Sequence, residues 1–119
     1  MALACGPTKY SRGGFIEFAR YESGEIAMFV NGPEGPEFKP TVSLVPYGAE
    51  DPGEDGVWLK DWSENEGAVK ALVASGIIEL TDRTHPIGHV IAKHGRLTQA
   101  AMWSVPVHRR TMLGRCGMA

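Results

Sequence analysis

The sequence predicts a small α+β domain, an antiparallel β-sheet packed against one main α-helix at about residues 63–75. Two observations carry that expectation. Aromatic and β-branched runs between Phe15 and Val45 are separated by glycine- and proline-containing breaks. Further along, Ser63 followed by Glu66 forms a capping box that opens an apolar stripe of helical period. The chain has 119 residues, 43% of them hydrophobic and 22% charged, which suits one domain with a real core. It divides into a flexible N-terminal arm (1–14), the domain itself (15–108) and a basic C-terminal tail (109–119).

The arm ends in Ser11-Arg12-Gly13-Gly14 and has no sustained period. Phe15, Ile16, Phe18 and Tyr21, then Ile26 to Val30 beyond Glu22-Ser23-Gly24, read as a β-hairpin. The stretch from Asn31 to Pro40 holds three prolines and two glycines and reads as a surface connection that cannot continue a ladder. Thr41 to Val45 is a strand stopped by Pro46, and Tyr47 to Gly56 a polar loop. Val57 to Lys60 is a short strand leading into the helix.

Within the predicted helix, Ser63 Oγ would accept from the Glu66 amide while the Glu66 carboxylate reaches back to the Ser63 amide. Glu64 and Glu66 would also favour the positive end of the helix dipole. Val69, Leu72 and Val73 form the apolar stripe, with Leu72 as its buried anchor, and Gly76 terminates the helix. Beyond it, His89 to Lys93 reads as a strand, His94-Gly95 as a turn, and Leu97 to Val107 as a second strand carrying Trp103. Residues 97–102 suit a helical turn equally well.

The net charge of −2 conceals a separation. All fourteen acids lie between Glu17 and Asp82 alongside only four bases, so that stretch is net −10. From Arg83 onward there are six bases, no acid and all four histidines. Such a layout fits an internal match in the fold, a basic surface for nucleic acid, or an acidic face for a basic partner. The acidic candidates for partner binding are Glu34, Glu37, Glu50, Asp51, Glu54 and Asp55, with Glu22 and Glu25 on the same face. The candidates for nucleic-acid contact are Arg83, Lys93, Arg96, Trp103, Arg109 and Arg110.

No motif announces catalysis. There is no G-x-S-x-G elbow and no C-x-x-C pair, and Cys5 and Cys116 read as reduced thiols without a role. Gly13-Gly14 precedes a strand rather than a helix, so it lacks the dipole of a phosphate loop. The four carboxylates of Glu50 to Asp55 do not follow the EF-hand spacing. On a strand, His85 and His89 would stand about 13 Å apart, too far to grip one ion. No metal or other cofactor is expected. No stretch approaches the roughly 18 apolar residues of a membrane span, and Met1 to Pro7 is too short and uncharged for a secretory signal, so the expected location is the cytoplasm.

Trp58-Leu59-Lys60-Asp61-Trp62-Ser63-Glu64-Asn65-Glu66-Gly67, continued by Leu72 and Gly76-Ile77-Ile78, resembles a family of small proteins of phages, plasmids and integrative elements. Its members form a domain of unknown function with a hairpin, a T-V-N-L-like strand, a K-D-[WY]-S-E-N-E-G helix start and a final strand ending in a V-P-like pair. The corresponding parts here are Phe15 to Val30, Thr41 to Leu44, Lys60 to Gly67 and Val105-Pro106-Val107. Ser43 replaces the usual Asn, the acidic loop is expanded, and His94 to Ala101 is inserted.

That resemblance supplies no catalytic residues. It implies a mobile-element accessory protein, a class that includes anti-CRISPR proteins. The resulting expectation is a non-enzymatic inhibitor that binds a host defence protein such as a CRISPR effector. The alternative is a nucleic-acid-binding accessory protein that uses the basic C-terminal third.

Overall fold

The computed structural model describes residues 3–106. They form two antiparallel four-stranded sheets rather than the single sheet expected, with one seven-residue helix and a one-turn helix. Sheet A has the order β1-β2-β3-β4, from Ala4–Cys5, Gly14–Arg20, Ile26–Gly32 and Gly35–Phe38. Sheet B has the order β5-β6-β8-β7, from Thr41–Val42, Gly56–Leu59, Val90–Leu97 and Ile78–Ile87. Helix α1 spans Ala68–Ala74 and α2 spans Gln99–Met102. No helix among the described residues is long and apolar enough to cross a membrane.

The hairpin of β2 and β3 lies where its apolar runs place it, with Ile16 opposite Val30 and Phe18 opposite Met28. Its inner face contributes Ile26, Met28 and Val30 to the main core. Sheet B supplies Val57, Leu59, Ile78 and Leu97 to that core, and α1 adds Val69 and a fully buried Leu72, the expected anchor. A smaller cluster of Leu44, Ala49, Trp58 and Ala92 covers the other face of sheet B. β6 is therefore buried along its whole length.

Several elements depart from expectation. Residues 1–14 do not form a free arm throughout: Ala4–Cys5 pairs with Phe15 and Gly14 as β1, and Cys5 is buried. The proline-rich stretch after Asn31 folds back as β4 on β3. Its Pro36 is tolerated because β4 is an edge strand, where a missing N–H breaks no ladder on the outer side. The strand at Thr41 is only two residues long, and Val45–Tyr47 is a 3-10 turn.

At the other end, β8 runs straight through His94-Gly95, and the turn is Gly88-His89, two residues that join β7 to β8. β7, ten residues from Ile78 to Ile87, has no counterpart among the expected elements. The ladder ends at Leu97, where Thr98 Oγ1 accepts from Ala101 N and starts α2, so Trp103 lies beyond a helical turn rather than on a strand. Val105 and Pro106 are not on a strand. Arg109, Arg110 and Cys116 lie outside the described residues.

The helix start is the most instructive correction. Ser63–Asn65 is a 3-10 turn, and α1 begins only at Ala68, after Gly67 at φ 92°. A residue in that left-handed conformation interrupts the helical path, and glycine is the side-chain-free solution. The capping box does not form. Ser63 itself has φ 54°, and the Glu66 carboxylate pairs with Lys9 at 2.9 Å. Asp61 caps the helix instead, its Oδ1 accepting from Gly67 N at 3.0 Å and Val69 N at 3.2 Å. Buried Asn65 fixes the turn between them, donating to the carbonyls of Lys39 and Lys60.

Asp61→Ala is therefore expected to cost about 1–2 kcal/mol of stability, the range for losing a cap, while Ser63→Ala costs under about 0.5 kcal/mol. Urea denaturation of both variants checks the order, which the capping-box assignment would reverse. A second expectation concerns Cys5, whose thiol is pushed up to about 11 by burial. In a Cys116→Ser background its alkylation by iodoacetamide at pH 8 should run about 100-fold slower than that of a thiol at the ordinary value, because only the thiolate reacts.

Candidate functional site

The loop from Ala49 to Asp55 carries four of the acidic candidates, and its polarity alone suggested a solvated excursion. The structure clamps it from below. β6 and β8 pair with Trp58 opposite His94, which puts both rings on the face of sheet B beneath the loop. Opposite His94, β7 is bulged: Leu80 pairs with Gly95 and Thr84 with Lys93, so Thr81, Asp82 and Arg83 stand against one residue. An irregularity of this kind re-aims side chains. Here it brings Thr81 and Arg83 to the two ring nitrogens of His94.

Each of three consecutive loop carbonyls then meets a side chain of the sheet. Trp58 Nε1 donates to Glu50 O at 3.1 Å, Arg83 Nη2 to Asp51 O at 3.1 Å, and His94 Nε2 to Pro52 O at 2.7 Å. A nitrogen 2.7 Å from a carbonyl oxygen carries a proton, and Nδ1 lies 2.8 Å from Thr81 Oγ1, whose hydroxyl is also 3.1 Å from the His94 carbonyl. The 3.3 Å approach of Arg83 Nη1 to Nε2 is then a contact rather than a hydrogen bond. Arg83 instead lies over the Trp58 ring, 5.5 Å from its centroid. The loop closes where Leu97 N donates to Asp55 O at 2.7 Å.

Gly56 makes this fit possible. A Cβ there would fall 1.8 Å from Pro52 O and 2.7 Å from His94 Nε2. Thr81 and His94 have the form of a hydroxyl–imidazole pair, but His94 is buried and engaged at both ring nitrogens, so the pair serves the clamp. Among the described residues no group of three or more His, Cys, Asp or Glu side chains gathers as a metal site. His85 lies on β7 beside Trp58, and His89 sits in the following turn.

The described candidates for nucleic-acid contact other than Trp103 meet carboxylates at the surface. Arg83 pairs with Glu50 at 3.4 Å, Lys93 with Asp61 at 3.6 Å and Arg96 with Asp55 at 2.9 Å. The Asp55 carboxylate beside it raises the Arg96 pKa further. Trp103 is the exception, 81% exposed. Among the acids, Asp51 and Glu54 form no ion pair with a described residue, and Asp51 Oδ1 accepts from Gly53 N. Glu25 is buried rather than on the acidic face, accepting from Ser23 and Ser43 hydroxyls and from the N–H groups of Leu44 and Val45.

The six acidic candidates do not share one site. Glu34 and Glu37 line a groove of about 530 Å³ together with Lys9 and Arg12, and Glu37 accepts from Ser11 Oγ at 2.7 Å. Asp51 and Glu54 line a second groove of about 710 Å³, whose other walls include Arg20, Val45, Met102 and Val105. Arg20 donates to Gly24 O and Pro106 O; burial lowers its pKa, and nearby Glu54 works the other way.

Sequence reasoning missed Trp58, Thr81, His94 and Arg20 as parts of this region. The hint was a run of hydrogen-bonding residues, Thr81, Arg83 and His85, within a stretch that also had to be a strand. No protein-family model, curated protein or solved structure matches the chain.

Gly56→Ala is expected to cost about 2–4 kcal/mol, because backbone rather than a side-chain tip must move. His94→Ala should leave Pro52 O without its donor and speed Glu-C cleavage after Glu50 and Glu54 by about tenfold or more. Thermal melts and timed digests measure the two effects.

Proposed function

We propose that this protein is a non-enzymatic inhibitor that docks its clamped acidic loop on a basic surface of a host defence protein or complex, such as a CRISPR effector. The carrying observation is the set of three consecutive loop carbonyls held by Trp58, Arg83 and His94. A loop ordered in advance loses little conformational freedom on binding, so its carboxylates contribute more of their attraction to affinity. Asp51 and Glu54 are exposed and free of ion pairs with described residues, which suits them to a cationic partner. The defence context rests on the resemblance of Trp58 to Gly67 to proteins of mobile elements.

A second reading, nucleic-acid binding by the C-terminal third, has exposed Trp103 in its favour. Arg83, Lys93 and Arg96 would first have to leave carboxylates they already touch. Exposed pairs of this kind cost only about 0–1 kcal/mol each to break, so the two readings are separated by measurement.

The pure protein is expected to bind a candidate effector complex and to restore phage growth on a host immune through that effector. Asp51→Asn with Glu54→Gln should weaken the binding by about tenfold or more at low salt. Neither binding nor phage protection across the effector types would overturn the proposal. Affinity for DNA or RNA that falls steeply between 50 and 200 mM salt would favour the second reading instead.

A further inference from the structure

The 710 Å³ groove beside the acidic loop lies in the size range of specific ligand pockets, about 300–1,000 Å³. Its lining is mixed in character: Asp51 and Glu54 of the clamped loop contribute to it, and so do the apolar Val45, Met102 and Val105. Two strongly exposed aromatic residues adjoin these apolar positions in sequence, each 81% accessible. Tyr47 closes the 3-10 turn begun by Val45, and Trp103 stands between Met102 and Val105. Tyrosine, tryptophan and arginine are the residues that most often dominate binding energy at protein interfaces.

The charges around the groove are not equally available. Glu25 lines it, but its carboxylate is consumed by two serine hydroxyls and two backbone N–H groups. Arg20 lines it too, with Nε and Nη1 committed to Pro106 O and Gly24 O. Three carboxylates against one guanidinium leave the lining net −2. Asp51 and Glu54 are the acceptors left for an incoming cation. The whole chain is net −2, the same sign as the lining.

We infer that this groove receives an extended segment of the partner protein that presents a lysine or arginine beside apolar residues. The cation meets Asp51 and Glu54, and its apolar neighbours lie against Val45, Met102 and Val105. This rests on the proposed docking of the acidic loop and adds to it a defined cleft and a defined sequence character in the partner.

The test uses the full chain and a fluorescein-labelled ten-residue peptide with two arginines set among leucines and valines, followed by fluorescence anisotropy. Its counterpart carries glutamates for the arginines. The arginine peptide is expected to bind and the glutamate peptide not. Asp51→Asn with Glu54→Gln should weaken binding by about tenfold, and so should Val105→Gln or, at an exposed wall position, Pro106→Gln, which remove apolar surface without adding charge. Circular dichroism confirms that each variant is folded. Equal binding of the two peptides, no binding of either, or indifference to both wall variants would overturn the inference. With the intact partner, loss of binding in the loop variant alone leaves the loop proposal standing and removes the groove. Indifference to the loop variant removes the loop proposal itself.

Discussion

A strand buried on both faces needs two coverings, and β6 imposes that need here. Val57 and Leu59 point into the core shared with sheet A and α1, while Trp58 points the other way. Among the described residues no further sheet or α-helix covers that side. The covering is a loop of backbone carbonyls and carboxylates, which can lie on a sheet only if its polar groups find donors. Trp58, Arg83 and His94 are those donors. Much of what distinguishes this chain follows from that arrangement: the bulge in β7, the absence of a side chain at Gly56, and the rigidity of an acidic segment.

The charge separation along the sequence is largely undone in space. Bases of the last third return to acids of the middle, as Arg83 does to Glu50, Lys93 to Asp61 and Arg96 to Asp55. Each of these pairs is partly exposed and worth little by itself. Their effect is on arrangement rather than on stability. Within the loop, pairing engages Glu50 and Asp55 and leaves Asp51 and Glu54 beside a groove without an ion-pair partner among the described residues.

What could be read in advance followed the strength of the local signal. The β2–β3 hairpin was legible because two aromatic and β-branched runs between Phe15 and Val30 flank a short glycine-containing turn, and Leu72 because a helical stripe has one centre. The helix start misled because Ser63 and Glu66 satisfy a capping pattern that the tertiary structure overrides. Gly67 breaks the path, and Asp61 reaches its amides from outside the motif. β4 was hidden by its prolines, which an edge strand accepts. His94-Gly95 looked like a turn, whereas the glycine there makes room for Leu59 and Ile78 across the sheet. The acidic residues of the site were visible by composition. Their clamp was not, since it depends on a register shift between β7 and β8 that no local pattern encodes.

The bulge at Thr81 to Arg83 bears on more than the loop. β7 is a ten-residue strand at the outer edge of sheet B, and among the described residues no strand pairs with its far side. A straight edge of that length would be an open template on which further copies of the chain could add, strand upon strand, into a fibre. The three-residue irregularity divides it into two shorter runs, and Pro86 withholds an amide from the second. The same irregularity that delivers Thr81 and Arg83 to His94 thus shortens the open edge that a second copy would find.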